Sequence, residues 1–337
     1  MASTVGLDLG GTKCLGVVVD DGGNVVDEER VPTPIGADAI VDTLAEVADR
    51  LIARAAGAIG AVGIGAPGLV DDEGVLRFAP NLPGVTEVPI AGRVGARLPV
   101  PVVVENDASC AGWGERELGA GRRSDHVLLV TLGTGIGGGM VLGGRLFRGH
   151  HGFAGEIGHM VVDPHGPPCP CGQRGCWERF ASGSGLGRIA REAALAGRAS
   201  RVVALAGGDA EHVKGEHVTA AAAEGDHEAV EVMAAFAWWV ALGLANLANA
   251  FDPELFVLGG GLVEAGEVLL NPVRSAFNDL LEGADHRPPV AIVAAELGER
   301  AGAIGAALLA RTSLLGAPAH ALASDLAPKT AGGGAAG

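Results

Sequence analysis

The sequence predicts an α/β protein made of two related domains that face each other, and three observations support this. Short apolar segments typical of β-strands alternate along the chain with segments of helical spacing. The segment "VGLDLGGTK" near the N-terminus and the later segment "LVTLGTGIGG" share one pattern, an apolar strand followed by a glycine-rich turn. At 337 residues, the chain is also long enough to form a core in each of two domains.

The composition indicates what the cores contain and which partners are disfavoured. Hydrophobic residues make up 48% of the chain, aromatic residues only 4%, and tyrosine is absent. The cores must therefore be built mainly from Ala, Val, Leu and Ile. The formal net charge of −16 would repel a phosphate backbone, so no nucleic-acid partner is expected.

The first half of the chain is predicted to contain one sheet and one long helix. The predicted strands are residues 4–9, 14–19, a strand after the turn at 20–24, 61–70 and 100–107. Residues 39–55 are predicted to form a helix, because apolar residues recur on one face at helical spacing. Those residues are Ile40, Leu44, Val47 and Leu51.

In the second half, residues 126–144 repeat the pattern of strand, glycine-rich turn and strand. Residues 255–266 are predicted to be a strand that delivers three glycines to the start of a helix. The uncharged run from Val232 to Phe251 is long enough to span a bilayer. Because two asparagines interrupt it and acids flank it, a helix in the core of a soluble protein is favoured and no membrane partner is expected.

The two chain ends carry little structural signal. The N-terminal segment lacks a basic region and reaches Asp8 early, so no signal peptide is expected. The expected location is the cytoplasm, where thiols stay reduced. The small residues of 321–337 are typical of a disordered tail.

Three glycine-rich sites follow apolar strands, at residues 10–11, 133–139 and 259–261. Backbone N–H groups without a neighbouring Cβ can approach an anion closely, which suits phosphate binding. In the first turn Thr12 and Lys13 add a hydroxyl group and a positive charge. A tight β-turn uses the same residues for steric reasons alone, so one such turn would be weak support. Neither a Walker A loop nor a Rossmann fingerprint is present.

Acidic residues lie at two places where this predicted phosphate chemistry would need them. Asp8 directly precedes the first turn, where it could hold a hydrated Mg²⁺ against phosphates. Glu105, Asn106 and Asp107 end a buried strand, where open α/β sheets bind ligands. Asp107 could accept a proton from an attacking hydroxyl group, while Asn106 could hydrogen-bond the same molecule. The alternative is that these two residues only cap the following helix.

Three of the five cysteines lie within eight positions, with a histidine ten residues upstream. Three thiolates and one imidazole match the closed tetrahedral set of a structural zinc site. That set consists of His159, Cys169, Cys171 and Cys176. The alternative is a disulfide between Cys171 and Cys176, which a reducing compartment disfavours.

Taken together, these motifs resemble the ROK family of bacterial sugar kinases and sugar-responsive repressors. The resemblance rests on "DLGGTK" from Asp8, "END" from Glu105, "LGTGIGGG" from Leu132, "EIGH" from Glu156 and "CPCGQRGCWE" from Cys169. It extends from residue 5 to about residue 305. It implies the actin-like ATPase fold, in which two ribonuclease H-like domains enclose a cleft. The implied small domain is residues 1–112 plus about 302–320, and the implied large domain is residues 113–301.

The resemblance also implies the roles of individual residues. Asp107 matches the catalytic base, and the same zinc ligands are implied. The positions that match sugar-binding residues are Asn81, Asn106, Asp107, Glu156, His159 and Glu178. The positions that match nucleotide-binding residues are Asp8, Gly10, Gly11, Thr12, Lys13, Gly133, Thr134, Gly135, Gly259, Gly260 and Gly261. His159 is then expected to bind zinc through one ring nitrogen and to face the sugar with the other.

The implied activity is that of an ATP-dependent glucokinase, with Mg·ATP as donor, glucose as acceptor and one structural zinc. Because Ser109 stands where related sugar kinases often have Asn, kinases for mannose, fructose or N-acetylmannosamine are alternatives. Polyphosphate as donor and a non-catalytic sugar sensor are further alternatives. The first strand begins by Val5 without a preceding helix-turn-helix, which disfavours a repressor. A homodimer or tetramer is expected from the resemblance.

Overall fold

The computed structural model describes residues 2–314. The strands are β1 (Ser3–Leu9), β2 (Lys13–Val19), β3 (Val25–Pro32), β4 (Ile59–Ala66), β5 (Leu69–Val70), β6 (Leu76–Phe78), β7 (Thr86–Val88), β8 (Val102–Asn106), β9 (Val127–Leu132), β10 (Ile136–Leu142), β11 (Arg145–Leu146), β12 (Leu255–Gly259) and β13 (Ala291–Ala294). The α-helices are α1 (Ala37–Arg54), α2 (Ile90–Gly95), α3 (Asp107–Leu118), α4 (Glu178–Ala181), α5 (Gly183–Leu195), α6 (Ser200–Leu205), α7 (Gly215–Ala223), α8 (His227–Phe251), α9 (Glu267–Leu280) and α10 (Ala301–Leu314).

Two five-stranded sheets organise these elements, and they have the same topology. The first has the order β3-β2-β1-β4-β8 and the second the order β11-β10-β9-β12-β13. In each sheet the first three strands of that order are antiparallel neighbours, and the last three are parallel neighbours. The repeat predicted from the two glycine-rich hairpins is therefore confirmed, since β1–β2 and β9–β10 occupy equivalent positions.

Helices α3 and α10 cross between the two sheets and bring them together. Helix α3 follows the last strand of the first sheet and packs against β9 and β10 of the second. Helix α10 follows the second sheet and packs back onto β1 and β4 of the first. Small residues allow this crossing, since a Cβ on Gly305 of α10 would lie 1.7 Å from the Cys110 carbonyl oxygen of α3. The chain thus passes from one half to the other and returns.

Helix α8 is the apolar segment that is long enough to span a membrane. Its inner face is buried in the largest core of the described residues, with Phe236, Val240 and Leu244 among its members. It packs mainly against α9 and α7. This placement agrees with the predicted core helix, because the apolar side chains on the inner face of α8 are covered by other helices of the second half.

The predicted elements of the first half lie where the sequence placed them. All four apolar residues of the predicted helix face are buried on α1. In the second half one detail differs, because a 3-10 helix, Gly261–Ala265, separates the three glycines from α9. The predicted domain division, 1–112 plus 302–320 against 113–301, stays a prediction. The predicted disorder of residues 321–337 lies outside the described residues.

Candidate active site

The hairpin that joins β1 to β2 brings the first glycine-rich turn to the surface. The turn is closed by a hydrogen bond from the Gly10 N–H to the Lys13 carbonyl oxygen, 2.9 Å long. Gly11 and Thr12 are exposed. A Cβ on Gly11 would lie 3.4 Å from the Asn81 carbonyl oxygen, so the loop that contains Asn81 borders the turn. The backbone N–H groups of this turn are therefore accessible to a ligand.

Asp8 lies directly behind this turn, close to Asp107. Burial raises the pKa of Asp8 to about 7, with a further rise from the charge of Asp107, while Lys13 acts in the opposite direction. The start of α10 packs on the same carboxyl group, because a Cβ on Gly302 would lie 2.8 Å from its carbon. A carboxylate held near another carboxylate is a site where a divalent cation would relieve repulsion.

The Lys13 ammonium group lies on a carboxylate that the sequence analysis did not single out. Its Nζ is 3.0 Å from Oε2 of Glu299, and Arg30 lies 2.8 Å from the same oxygen. Hydrogen bonding from Lys13 lowers the pKa of Glu299. All three side chains are about half exposed, so the pair is screened by water and is open to exchange for another anion.

Strand β8 delivers Asn106 and Asp107 to the start of α3, as the strand-end pattern predicted. Asn106 caps the helix, since its Oδ1 accepts from the Ser109 N–H at 2.9 Å. Its Nδ2 donates to the Gly68 carbonyl oxygen at 3.1 Å. Asn106 therefore does cap the helix, and these two hydrogen bonds fix the orientation of its amide group.

Asp107 is the first residue of α3 and is only partly exposed. Burial raises its pKa above the usual range for an aspartate, although a hydrogen bond from the Ala108 N–H opposes the rise. A raised pKa makes its carboxylate a better proton acceptor near neutral pH. The charge of Asp107 acts on Glu156 as well as on Asp8, so this carboxylate lies near both of them.

The hairpin that joins β9 to β10 presents the second glycine-rich turn, Gly133 to Gly135. The Gly183 N–H donates to the Gly133 carbonyl oxygen at 2.8 Å, and Ser184 Oγ donates to the Thr134 carbonyl oxygen at 3.0 Å. The start of α5 therefore supports this turn. The third glycine site borders it as well, because a Cβ on Gly260 would lie 2.5 Å from the Leu132 carbonyl oxygen.

The predicted zinc ligands converge at one point. Among the described residues, one ligand atom from each of His159, Cys169, Cys171 and Cys176 lies within 4.8 Å of all the others. The Sγ atoms of Cys171 and Cys176 are 3.6 Å apart, and Cys169 Sγ is 3.8 Å from Nδ1 of His159. Tetrahedral zinc, with bonds of about 2.0–2.3 Å, needs ligand atoms separated by such distances. These four residues fit a zinc ion. The three cysteines are free, so the alternative of a disulfide between Cys171 and Cys176 is not what the structure shows.

Trp177 anchors the segment that follows the last zinc ligand. Its indole Nε1–H donates to the Trp239 carbonyl oxygen of α8 at 2.7 Å, and the side chain is fully buried. Only a glycine fits opposite the ring, because a Cβ on Gly243 would lie 2.0 Å from Cε2 of the indole. The core of the second half therefore fixes both Cys176 and Glu178, the neighbours of Trp177.

His159 and Glu178 join this cluster to the acidic residues. Nδ1 of His159 faces Cys169, whereas Nε2 lies 3.9 Å from Oε2 of Glu156. Burial raises the pKa of Glu156, which His159 opposes and Asp107 and Glu178 reinforce. A Cβ on Gly135 would lie 2.7 Å from Oε2 of Glu178, so the second turn touches the zinc-ligand segment. The geometry brings Glu156, His159 and Glu178 together, with Asp107 near Glu156, while Asn81 borders Gly11 of the first turn.

The profile of the ROK family matches residues 4–313. The chain belongs to the ROK family. A glucokinase of Streptomyces coelicolor is 44% identical over 314 residues, which cover 92% of this chain and 98% of that protein.

Two solved ROK structures are similar to this one over nearly their whole length. A ROK family glucokinase from Streptomyces griseus, in complex with glucose and AMPPNP, has 43% identity and a TM-score of 0.81, with 92% of this chain and 100% of that chain covered. A ROK hexokinase from Thermus thermophilus has 37% identity and a TM-score of 0.80, with 93% and 99% covered. The predicted α/β fold of the actin-like ATPase class is confirmed by these ROK structures.

Two side chains near this ROK site were missed by sequence reasoning. Glu299 holds Lys13, and Arg148 contacts Glu105 from the other half of the molecule. Neither lies in a motif, and Arg148 is a single arginine in a glycine-rich loop. Both contacts join residues far apart in the chain, so no local pattern could have indicated them.

Proposed function

We propose that this chain is a glucokinase that transfers the γ-phosphoryl group of Mg·ATP to the 6-hydroxyl group of glucose. One observation supports this above all others: Asp107 is close enough to act on both Asp8, which precedes the first glycine turn, and Glu156, which neighbours the predicted zinc ligand His159. A base that is close to both a phosphate-binding side and a sugar-binding side can serve in-line transfer between them. The ROK relatives named glucokinase, and the one solved with glucose and AMPPNP, favour these two substrates.

On the acceptor side, Asp107 accepts the proton of the sugar hydroxyl group as that oxygen attacks the phosphorus atom. Its raised pKa suits this role at neutral pH. Asn81, Asn106, Glu156, His159 and Glu178 hold the sugar through hydrogen bonds. The zinc supplies rigidity alone, because a closed set of four protein ligands leaves no position for substrate.

On the donor side, backbone N–H groups of the two glycine turns bind the phosphates, together with Thr12 and Lys13. Lys13 would exchange Glu299 for phosphate when the nucleotide binds, since both partners are exposed. Asp8 would hold a hydrated Mg²⁺, whose charge would offset that of the phosphates. Gly259, Gly260 and Gly261 approach the adenosine. Closure of the two domains then excludes water, which would otherwise compete with the sugar for the phosphoryl group.

A coupled assay with purified protein tests this proposal. Glucose, mannose, fructose and N-acetylmannosamine would each be offered with ATP and with polyphosphate. The proposal expects the highest kcat/KM for glucose with ATP. A higher value for another hexose or for polyphosphate would reassign the acceptor or the donor. If the protein binds glucose but phosphorylates no hexose with either donor, the result would instead favour the non-catalytic sugar sensor.

The proposed assembly is a homodimer or tetramer in the cytoplasm. Val230 and Trp238 of α8 are both partly exposed to solvent, and contact with another copy would bury their apolar surface. Light scattering of the purified protein tests the assembly directly. A monomer at micromolar concentration would contradict it.

A further inference from the structure

We propose that Arg148 is a positioning residue that sets the distance between the catalytic base and the sugar. It does so by binding Glu105, which precedes Asn106 and Asp107, while its own loop leads to Glu156. This inference rests on the proposed phosphoryl transfer, because it concerns how the two sides of that site are held together.

Arg148 crosses from the second half of the molecule to the first. It lies just after β11, and its side chain is only 8% exposed. Its guanidinium group contacts the carboxylate of Glu105, which is 5% exposed, and NH1 lies 3.3 Å from Oδ1 of Asp72. One arginine thus contacts two carboxylates of the other half, and its contact with Glu105 is removed from solvent.

On the side of the base, the link to Asp107 is short. Oε1 of Glu105 accepts a hydrogen bond from the Asn106 N–H at 2.8 Å. A shift of the Glu105 carboxylate therefore moves the backbone from which Asn106 and Asp107 extend. Burial raises the pKa of Glu105, and Arg148 is the main group that opposes this rise. Arg148 thus favours the ionised form of the carboxylate and holds it in place.

On the side of the sugar, the loop between Arg148 and Glu156 is held at several points. The Ala154 N–H donates to the Arg148 carbonyl oxygen at 3.0 Å. Gly152, with a φ of +89°, packs so closely on the first half that a Cβ there would lie 2.7 Å from the Val70 carbonyl oxygen. A loop held in this way transmits the position of Arg148 to Glu156.

Stability alone is a weak reason for such an ion pair. Removing two charges from water is costly, and replacing a buried pair with apolar residues is often neutral or stabilising. An arginine in this place instead favours one arrangement of the two halves, because it bonds only when its own loop and Glu105 are correctly placed. Phosphoryl transfer requires such accurate placement of the base and the sugar. A misplacement of about 1 Å near the reacting groups can lower the rate on the order of 10²-fold.

The test compares Arg148→Met with the double variant Glu105→Gln/Arg148→Met. The single variant leaves Glu105 buried without its partner, so both Tm and kcat should fall. The double variant removes both charges, so Tm should recover. A positioning role predicts that kcat stays low in the double variant, on the order of 10²-fold below wild type, because the link between the halves is still missing. Glucose affinity measured without nucleotide should change less than kcat.

Two further variants serve as controls. Arg54 also binds two carboxylates, Asp27 at 3.0 Å and Glu29 at 2.6 Å, but all three lie in the first half. Arg54→Met should therefore keep the wild-type kcat. Arg148→Lys keeps the positive charge but loses the planar fork, and should retain part of the activity. If Arg148→Met does not fold, the kcat of Arg148→Lys serves as the test in its place.

Wild-type kcat in a folded Arg148→Met or Arg148→Lys variant would overturn the inference. Recovery of kcat together with Tm in the double variant would do so too, since it would reduce the pair to a structural role. Failure of the proposed function gives a different result, because the wild type would then phosphorylate no hexose at all. If the wild type prefers another hexose, the same comparison holds with that sugar.

Discussion

The two glycine hairpins occupy equivalent places in sheets of the same topology, yet their surroundings differ. The hairpin of the first sheet lies among charges, with Asp8 behind it and Lys13 held by Glu299. The hairpin of the second sheet has no charged residue of its own between Gly133 and Gly135 and is supported by the start of α5.

This difference indicates a division of labour within one repeated framework. The first half supplies ionisable groups whose pKa values depend on burial and on each other. The second half supplies backbone donors and side chains held in place by the zinc-ligand cluster and by Trp177. The proposed proton acceptor and cation ligand thus lie in the first half, whereas most of the proposed sugar-orienting side chains lie in the second. The following variants test that division in order of expected effect.

The largest effect is expected for Asp107→Asn. Loss of the base should lower kcat by about 10²–10⁴-fold, because general-base catalysis contributes this much. The amide keeps a hydrogen bond to the hydroxyl group, so glucose affinity should stay within a few-fold of wild type. Steady-state kinetics and calorimetry of glucose binding measure the two quantities. A variant with near-normal kcat would remove Asp107 from this role.

The second effect concerns Cys171→Ala, which should release the zinc. His159 and Glu178 would then have to be ordered at each binding event, at about 2–5 kcal/mol for coupled folding. The KM for glucose should rise about 30-fold or more, whereas nucleotide affinity should change little.

Elemental analysis checks the metal, with about one zinc per chain expected in the wild type. Cys14→Ala is the matched control, since Cys14 is a buried cysteine outside the cluster and its loss should leave the zinc content unchanged. A zinc-free wild type with full activity would show that the second half does not depend on the metal.

A pair of glycine variants compares the two halves directly. An added Cβ would press on Asp8 in Gly302→Ala and on Glu178 in Gly135→Ala. We expect the first to raise the KM for Mg·ATP and the second to raise the KM for glucose, each by on the order of tenfold. Kinetics with each substrate varied in turn measure both. Equal effects of both variants on both substrates would contradict the division between the halves.

The smallest effect near neutral pH is that of the protonation of Asp8 and Asp107. Both Asp8 and Asp107 must be ionised to bind a cation and to accept a proton, and both have raised pKa values. As the pH falls through about 7, Asp8 gains a proton, so kcat/KM for Mg·ATP should fall about tenfold per unit below that value. A profile that stays flat down to pH 5.5 would show that the charges of the first half are not coupled in this way.

Much of the fold and of the candidate site could be predicted because the decisive signals are local. The helix face from Ile40 to Leu51 follows from spacing, and the zinc-ligand set follows from three cysteines and one histidine. That Asn106 caps the following helix was also a local prediction, and the cap is present. By contrast, the fully buried contact between Trp177 and Gly243 joins residues 66 positions apart, since 243 − 177 = 66, and no pattern marks it.

The sequence by itself therefore determined the α/β class, the repeated hairpins, the four residues that fit zinc and the strand end that carries Asp107. These depend on side-chain periodicity and on the few residue types that can bind a phosphate or a metal. Only the tertiary structure decided that Lys13 lies on Glu299, that Asp8 has a pKa of about 7, and that Arg148 joins the two halves through Glu105. The physical reason is that charge–charge energies and desolvation depend on distance and burial, which arise only when remote segments of the chain pack together.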